Sequence, residues 1–214
     1  MDTHNATHRR TTVALLMAVG IAASVGCSSS EPTGTAARTL SAGTHTYVGA
    51  VAGTGALMGV VVDGSRVLAY ACDGMPADPV GTTPTVETWF NGTSSGGIVD
   101  VKQPNGRLQL QLTDTTMQGT LTLADGRDLR VTGGSVTGAA GLYRAEGTVN
   151  GARVLAGWIV AADGQQRGGF GTEVDGTRKL AGTKLLNLSQ LTVNLQGLVT
   201  ARVDKVGITP IPIP

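Results

Sequence analysis

The sequence predicts an all-β protein: an antiparallel meander of about nine or ten strands, closed as an up-and-down barrel or stacked as a two-sheet sandwich. Three observations predict it. Asn-Gly or Asp-Gly pairs punctuate the chain at Asp63-Gly64, Asn91-Gly92, Asn105-Gly106, Asp125-Gly126, Asn150-Gly151, Asp163-Gly164 and Asp175-Gly176. These pairs tolerate the positive φ angles of tight hairpin turns. Between them, Leu108, Leu110 and Leu112 alternate with Arg107, Gln109 and Gln111, and Met117, Gly119, Leu121 and Leu123 alternate with Gln118, Thr120 and Thr122. Period two with one apolar face marks strands that are core on one side and wet on the other. Glycine is 32 of 214 residues and aromatics are only 3%, the usage of a chain with many turns and small-residue strands. The turn spacing leaves under about a tenth of the body for helix, against the usual third.

The elements follow in chain order. Met1 to Thr12 carries Arg9 and Arg10 against one acid, Asp2. Val13 to Val25 is an apolar run, shorter than the about 20 residues a bilayer core requires. Residues 1–26 therefore read as a signal peptide. Ser24-Val25-Gly26-Cys27 resembles the lipobox of bacterial lipoproteins, with Ser24 where Leu is common. That resemblance implies a diacylglycerol on the Cys27 thiol, which becomes the new N-terminus. It also implies an exported protein anchored to the outer face of a bacterial membrane. An ordinary secretory signal cut nearby is the alternative, and Arg9-Arg10 leaves both the general and the twin-arginine export routes open. Residues 27–44, the lipidated Cys and a small polar stretch with no apolar periodicity, read as a flexible tether.

Residues 45–206 are expected to form a single all-β domain. Tyr47 to Ala52, Leu57 to Val62 and Val154 to Ala161 are apolar on both faces, so both faces should be covered. The tether, the C-terminal segment, a second sheet or a partner could provide that cover. Asp73 to Pro84 holds Pro76, Pro79 and Pro84 and is expected to be a loop. Leu185 to Val203 fits either a helical face or a hairpin. Thr192, Val193, Val199, Thr200 and Val203 favour a hairpin that turns at Gln196-Gly197. Residues 207–214, ending Pro-Ile-Pro-Ile-Pro, read as an extended tail that cannot pair fully.

Charge and chemistry-bearing residues narrow the function. The whole chain has 16 Lys+Arg, 15 Asp+Glu and three His. Losing residues 1–26 removes Arg9, Arg10, Asp2, His4 and His8 and leaves 14 basic against 14 acidic residues, with His45 alone. A near-neutral balance excludes nucleic acid as a partner. One histidine and one thiol, Cys72, form no zinc cluster, and no loop has calcium-ligand spacing. No metal, cofactor or catalytic residue is therefore expected. Gly92-Thr93-Ser94-Ser95-Gly96 matches the nucleophile-elbow pattern in letters, but that elbow needs a following helix and a later histidine. The segment reads as a hairpin loop instead. Cys72 precedes Asp73, whose charge opposes thiolate formation, and reads as a small core residue rather than as half of a Cys72–His45 dyad. Asp73 or Asp78 with Glu87 could flank a glycosidic bond, yet their setting is that of loop acids.

Trp89, Trp158 and Tyr143 are large side chains in an aromatic-poor chain. They either line a ligand cavity or anchor the core. Ala140-Gly-Leu-Tyr-Arg-Ala-Glu-Gly147 and Val154-Leu-Ala-Gly-Trp-Ile-Val160 are similar to segments of uncharacterised bacterial secreted and lipid-anchored β proteins. This resemblance carries location and fold but no activity. The expectation is a non-catalytic, lipid-anchored envelope protein. Its β domain would bind a small apolar ligand or an envelope protein, or serve as a structural partner without a ligand. A hydrolase is the remaining alternative.

Overall fold

The computed structural model describes residues 40–75, 84–149, 152–174, 177–182, 192–195 and 199–205. The segments read as signal peptide, lipidated Cys27, most of the tether and Pro-rich tail, and the expected turns at Asn150-Gly151, Asp175-Gly176 and Gln196-Gly197, lie outside them. Every regular element among the described residues is a strand, and there are fourteen.

Eight strands close into an antiparallel barrel: β1 (Thr44–Val51), β2 (Leu57–Asp63), β3 (Arg66–Cys72), β4 (Glu87–Ser95), β5 (Ile98–Gln103), β6 (Gly106–Leu112), β7 (Thr116–Leu123) and β8 (Asp128–Ser135). They run up and down in chain order, and β8 returns to β1 with Val131 opposite Val51 and Ser135 opposite Tyr47. The other six are β9 (Gly141–Val149), β10 (Ala152–Val160), β11 (Gln166–Val174), β12 (Thr177–Gly182), β13 (Thr192–Leu195) and β14 (Val199–Lys205). They form a second antiparallel sheet in the order β12-β11-β10-β9-β14-β13. The strand number exceeds the nine or ten expected because the segment after Gly141 folds into a whole sheet of its own. Its last hairpin is the one the β-branched residues favoured, with Val193 opposite Ala201 and Leu195 opposite Val199.

Among the described residues the turn signals operate with one exception. Gly64, Gly126 and Gly164 take positive φ angles of 60°, 85° and 85° at hairpin turns. Asn91-Gly92, expected as a turn, lies inside β4. The chain reverses at Gly96-Gly97 instead, where both glycines have positive φ. Ser94 is therefore not in a hairpin loop but on β4, opposite Val99. The β4–β5 ladder has only two rungs, Ser94–Val99 and Ser95–Ile98. Past it, side chains bridge the strands. The Gln103 amide donates to the Asn91 carbonyl at 3.3 Å and to its side-chain oxygen at 2.8 Å. The Asn105 amide donates to the Trp89 carbonyl at 3.2 Å.

Alternation sorts each barrel strand into an inner and an outer set. Tyr47, Met58, Val60, Val62, Val67, Phe90, Leu108, Leu110, Leu112, Met117, Leu121 and Val131 are buried in one cluster that fills the barrel. The Tyr47 hydroxyl satisfies itself on the Thr113 carbonyl at 2.7 Å. Leu40 packs against the same cluster and the Ser41 N–H donates to Asp114 at 2.9 Å. The chain is thus held against the barrel from Leu40, earlier than the tether boundary at Thr44 that composition suggested.

The outer face of β1–β3 carries Val48, Leu57, Val61, Leu68, Tyr70 and Cys72, which pack with Leu142 and Ile159 of the second sheet. That second sheet covers the outer face of Tyr47–Ala52 and Leu57–Val62, whereas Val154–Ala161 belongs to the second sheet and packs its Ile159 side on the barrel. Gly157 sets how closely the layers approach. A Cβ there would stand 2.4 Å from Trp89 and 2.8 Å from Tyr70, so the missing side chain makes the space the two rings occupy.

Candidate functional site

The expected aromatic trio does not converge. Trp89 projects from the outer face of β4 toward the second sheet and stacks on Tyr70, with ring centroids 4.2 Å apart and planes 25° from parallel. The Arg144 guanidinium lies 5.3 Å from the Trp89 ring centroid. Arg144 is 4% exposed and paired with Glu146, which also takes Arg153 at 2.8 Å. Stacking on an aromatic face and pairing with a carboxylate together make burial of this cation tolerable. Trp158 and Tyr143 are a cross-strand pair on β10 and β9. Since Gly157 and Ile159 face the barrel, Trp158 faces the opposite way. It is 1% exposed, and Tyr143 is 4% exposed. The Tyr143 hydroxyl donates to the Ala139 carbonyl at 2.7 Å, and burial holds its pKa above the usual tyrosine value. Trp89 of the barrel packs against one face of the second sheet, and Trp158 and Tyr143 lie on that sheet's other face.

The other singled-out residues also stand apart. Cys72 is fully buried on the outer face of β3, and the Gly74 N–H donates to its sulfur at 3.3 Å. Burial, then the Glu87 and Asp73 carboxylates, push its pKa up to about 12 against hydrogen bonds from Tyr70 and Gly74 that lower it. His45 faces Val62 across the β1–β2 ladder, whereas Cys72 faces Leu57 across the β2–β3 ladder. That separates them by about 17 Å along β2. The His45 Nε2 lies 2.8 Å from the Ser41 carbonyl. Asp73 accepts from the Thr85 and Val86 N–H groups at 3.3 and 3.1 Å, so its carboxylate ties the end of β3 to the residues that lead into β4. Asp78 lies outside the described residues. Ser94 sits in a strand–turn–strand, which lacks the helix an elbow needs. Among the described residues, no three His, Cys, Asp or Glu side chains group as a metal site.

The concave feature lies elsewhere, on the outer wall of β5–β8. It is an open groove of about 660 Å³ whose floor includes Val99, Leu110 and Gly119. At Gly119 a Cβ would stand 2.0 Å from the Gln109 carbonyl oxygen, so only glycine lets β7 lie this close to β6. Register places the outward side chains in rows. Asp100, Gln109, Thr120 and Arg130 face one another across the four strands, and Ile98, Gln111, Gln118 and Thr132 form the next row. Each row spans about 14 Å. Asp100 is held by Arg107 at 2.8 and 2.6 Å in a two-pronged ion pair, which keeps its carboxyl below the ordinary range. Thr122 donates to Asp128 at 2.6 Å, and the Gln118 amide reaches Gln111 at 3.4 Å. The period-two pattern marked Gln109, Gln111, Gln118 and Thr120 only as a wet face. Their assembly into a groove depends on which strands are neighbours, and no local signal states that. Comparison of the chain with protein families, with characterised proteins and with solved structures gives no match.

Proposed function

We propose that the chain is a non-catalytic binding module of the cell envelope, exported and held at the outer face of a bacterial membrane by a lipid on Cys27. Its recognition surface is the β5–β8 groove. One observation carries this reading. The barrel interior is filled by its own side chains and the β1–β3 wall is covered by the second sheet. The open groove lies on the polar outer wall of β5–β8. A filled barrel supports surface recognition over an apolar ligand held inside. The wide separation of His45 and Cys72 and the strand setting of Ser94 support binding over hydrolysis.

Two measurements test the proposal. Cys27→Ala should move the protein from the membrane fraction to the soluble or uncleaved pool; a variant that is processed normally and stays membrane-bound refutes the anchor. A photo-crosslinking residue at Gln118 in the full chain should trap a cellular component, while the same residue at the exposed turn position Asp125 should not. Equal yields from the two positions, or none from either, would refute recognition by the groove.

A further inference from the structure

We infer that the β5–β8 groove takes an uncharged, hydroxyl-rich glycan strand. The inference rests on the groove being the recognition surface and adds the class of ligand.

Charge argues first. Among the groove's lining residues Asp100 and Asp128 outnumber Arg130, and Asp100 is already tied to Arg107; Lys102 stands opposite Arg107 in the next row, outside that lining. An anionic ligand needs an excess of cations to displace its counterions, and the groove lining offers none. The donors and acceptors argue next. Three primary amides, Gln109, Gln111 and Gln118, stand on neighbouring strands beside the Thr120 hydroxyl. An amide donates through its nitrogen and accepts through its oxygen, and a threonine hydroxyl does both. A sugar hydroxyl likewise donates and accepts, so such a wall can satisfy a run of them in either sense.

The lack of anchors argues against a protein partner. Protein interfaces bind through buried aromatic, Met and apolar side chains at their centre. Ile98, 51% exposed, is the only large apolar side chain exposed on this wall, and it stands at the groove's β5 edge. The same deficit disfavours an apolar small molecule. Mounting the amides on strands of a closed barrel lowers the ordering cost of binding many weak hydroxyl contacts.

The crosslinker at Gln118 in the full lipidated chain, expressed in cells, also decides the ligand class. The inference expects an adduct that is shortened by periodate, which cleaves vicinal diols, and that yields no peptides from a second protein. A paired measurement places the crosslinker at Thr120 and adds Gln109→Leu and Gln111→Leu. Adduct yield should fall about tenfold, the equivalent of ~1.4 kcal/mol, with the thermal unfolding midpoint retained. Unchanged yield overturns the role of the amides. An adduct containing partner peptides overturns the glycan and leaves groove recognition standing. Absence of any adduct overturns both.

Discussion

The buried thiol makes a quantitative prediction about alkaline stability. Cys72 is raised from an ordinary 9.0 to about 12, and in the unfolded chain its thiol returns to the ordinary value. Above about pH 9 the unfolded chain releases a proton that the folded chain keeps. The unfolded state then binds fewer protons, so stability falls as pH rises. The contribution is complete below the unfolded pKa and is lost progressively between about pH 9 and pH 12. One such group gives a slope of at most about 1.4 kcal/mol per pH unit, so roughly 1–1.5 kcal/mol is gone by pH 10. Tyr47, pushed up to about 12 by burial and by Asp114, and Tyr143, raised by burial, add losses of the same sign as the pH approaches their ordinary 10.0, but both are common to the wild type and to Cys72→Ala. The difference between the two proteins from neutral to about pH 10 therefore isolates the thiol. Urea denaturation of the wild type and of Cys72→Ala should show the wild type losing its lead by that amount over the interval. A gap that stays constant would mean that the folded and unfolded thiols titrate alike and that Cys72 is not sealed between the layers. In a Cys27→Ala background, native Cys72 should also react slowly with a thiol reagent and quickly once unfolded.

The layer contact and the elbow-like motif give two further predictions. Gly157→Ala should destabilise by about 1–3 kcal/mol, because the new methyl overpacks against Trp89 and Tyr70; denaturant midpoints with tryptophan emission would register both effects, and a neutral change would contradict the close approach. Ser94→Ala should change stability by no more than about 0.5 kcal/mol. A larger loss on calorimetry would mean that the hydroxyl holds a contact absent from the strand setting described.

Legibility varied with the range of the interaction. Leu108, Leu110 and Leu112 read as inward and are buried, and the residues between them read as wet and are exposed. That pattern depends only on the alternation of one strand. The β13–β14 hairpin was legible for the same reason, because Thr192, Val193 and Val199 stiffen an extended backbone locally. Asn91-Gly92 misled because a turn dipeptide states that a turn is tolerated, not that one forms. Gly92 is used for its missing side chain, since a Cβ there would stand 2.5 Å from Val101. The double-faced apolar strands announced a cover without saying what it was.

By itself, the sequence determined the all-β class, several of the hairpin turns, and which residues of the clearly alternating strands β6 and β7 face the core. Those properties follow from backbone preferences and from a two-residue period that each segment carries alone. Only the tertiary structure decided the closure of β8 on β1 and the placement of the second sheet over β1–β3. It also decided the separation of Trp89 from Trp158 and the alignment of Asp100, Gln109, Thr120 and Arg130 across four strands. These depend on which distant segments pair and in what register. Non-local burial and hydrogen bonding select that pairing, and a change of one residue in register would turn the whole polar row toward the core.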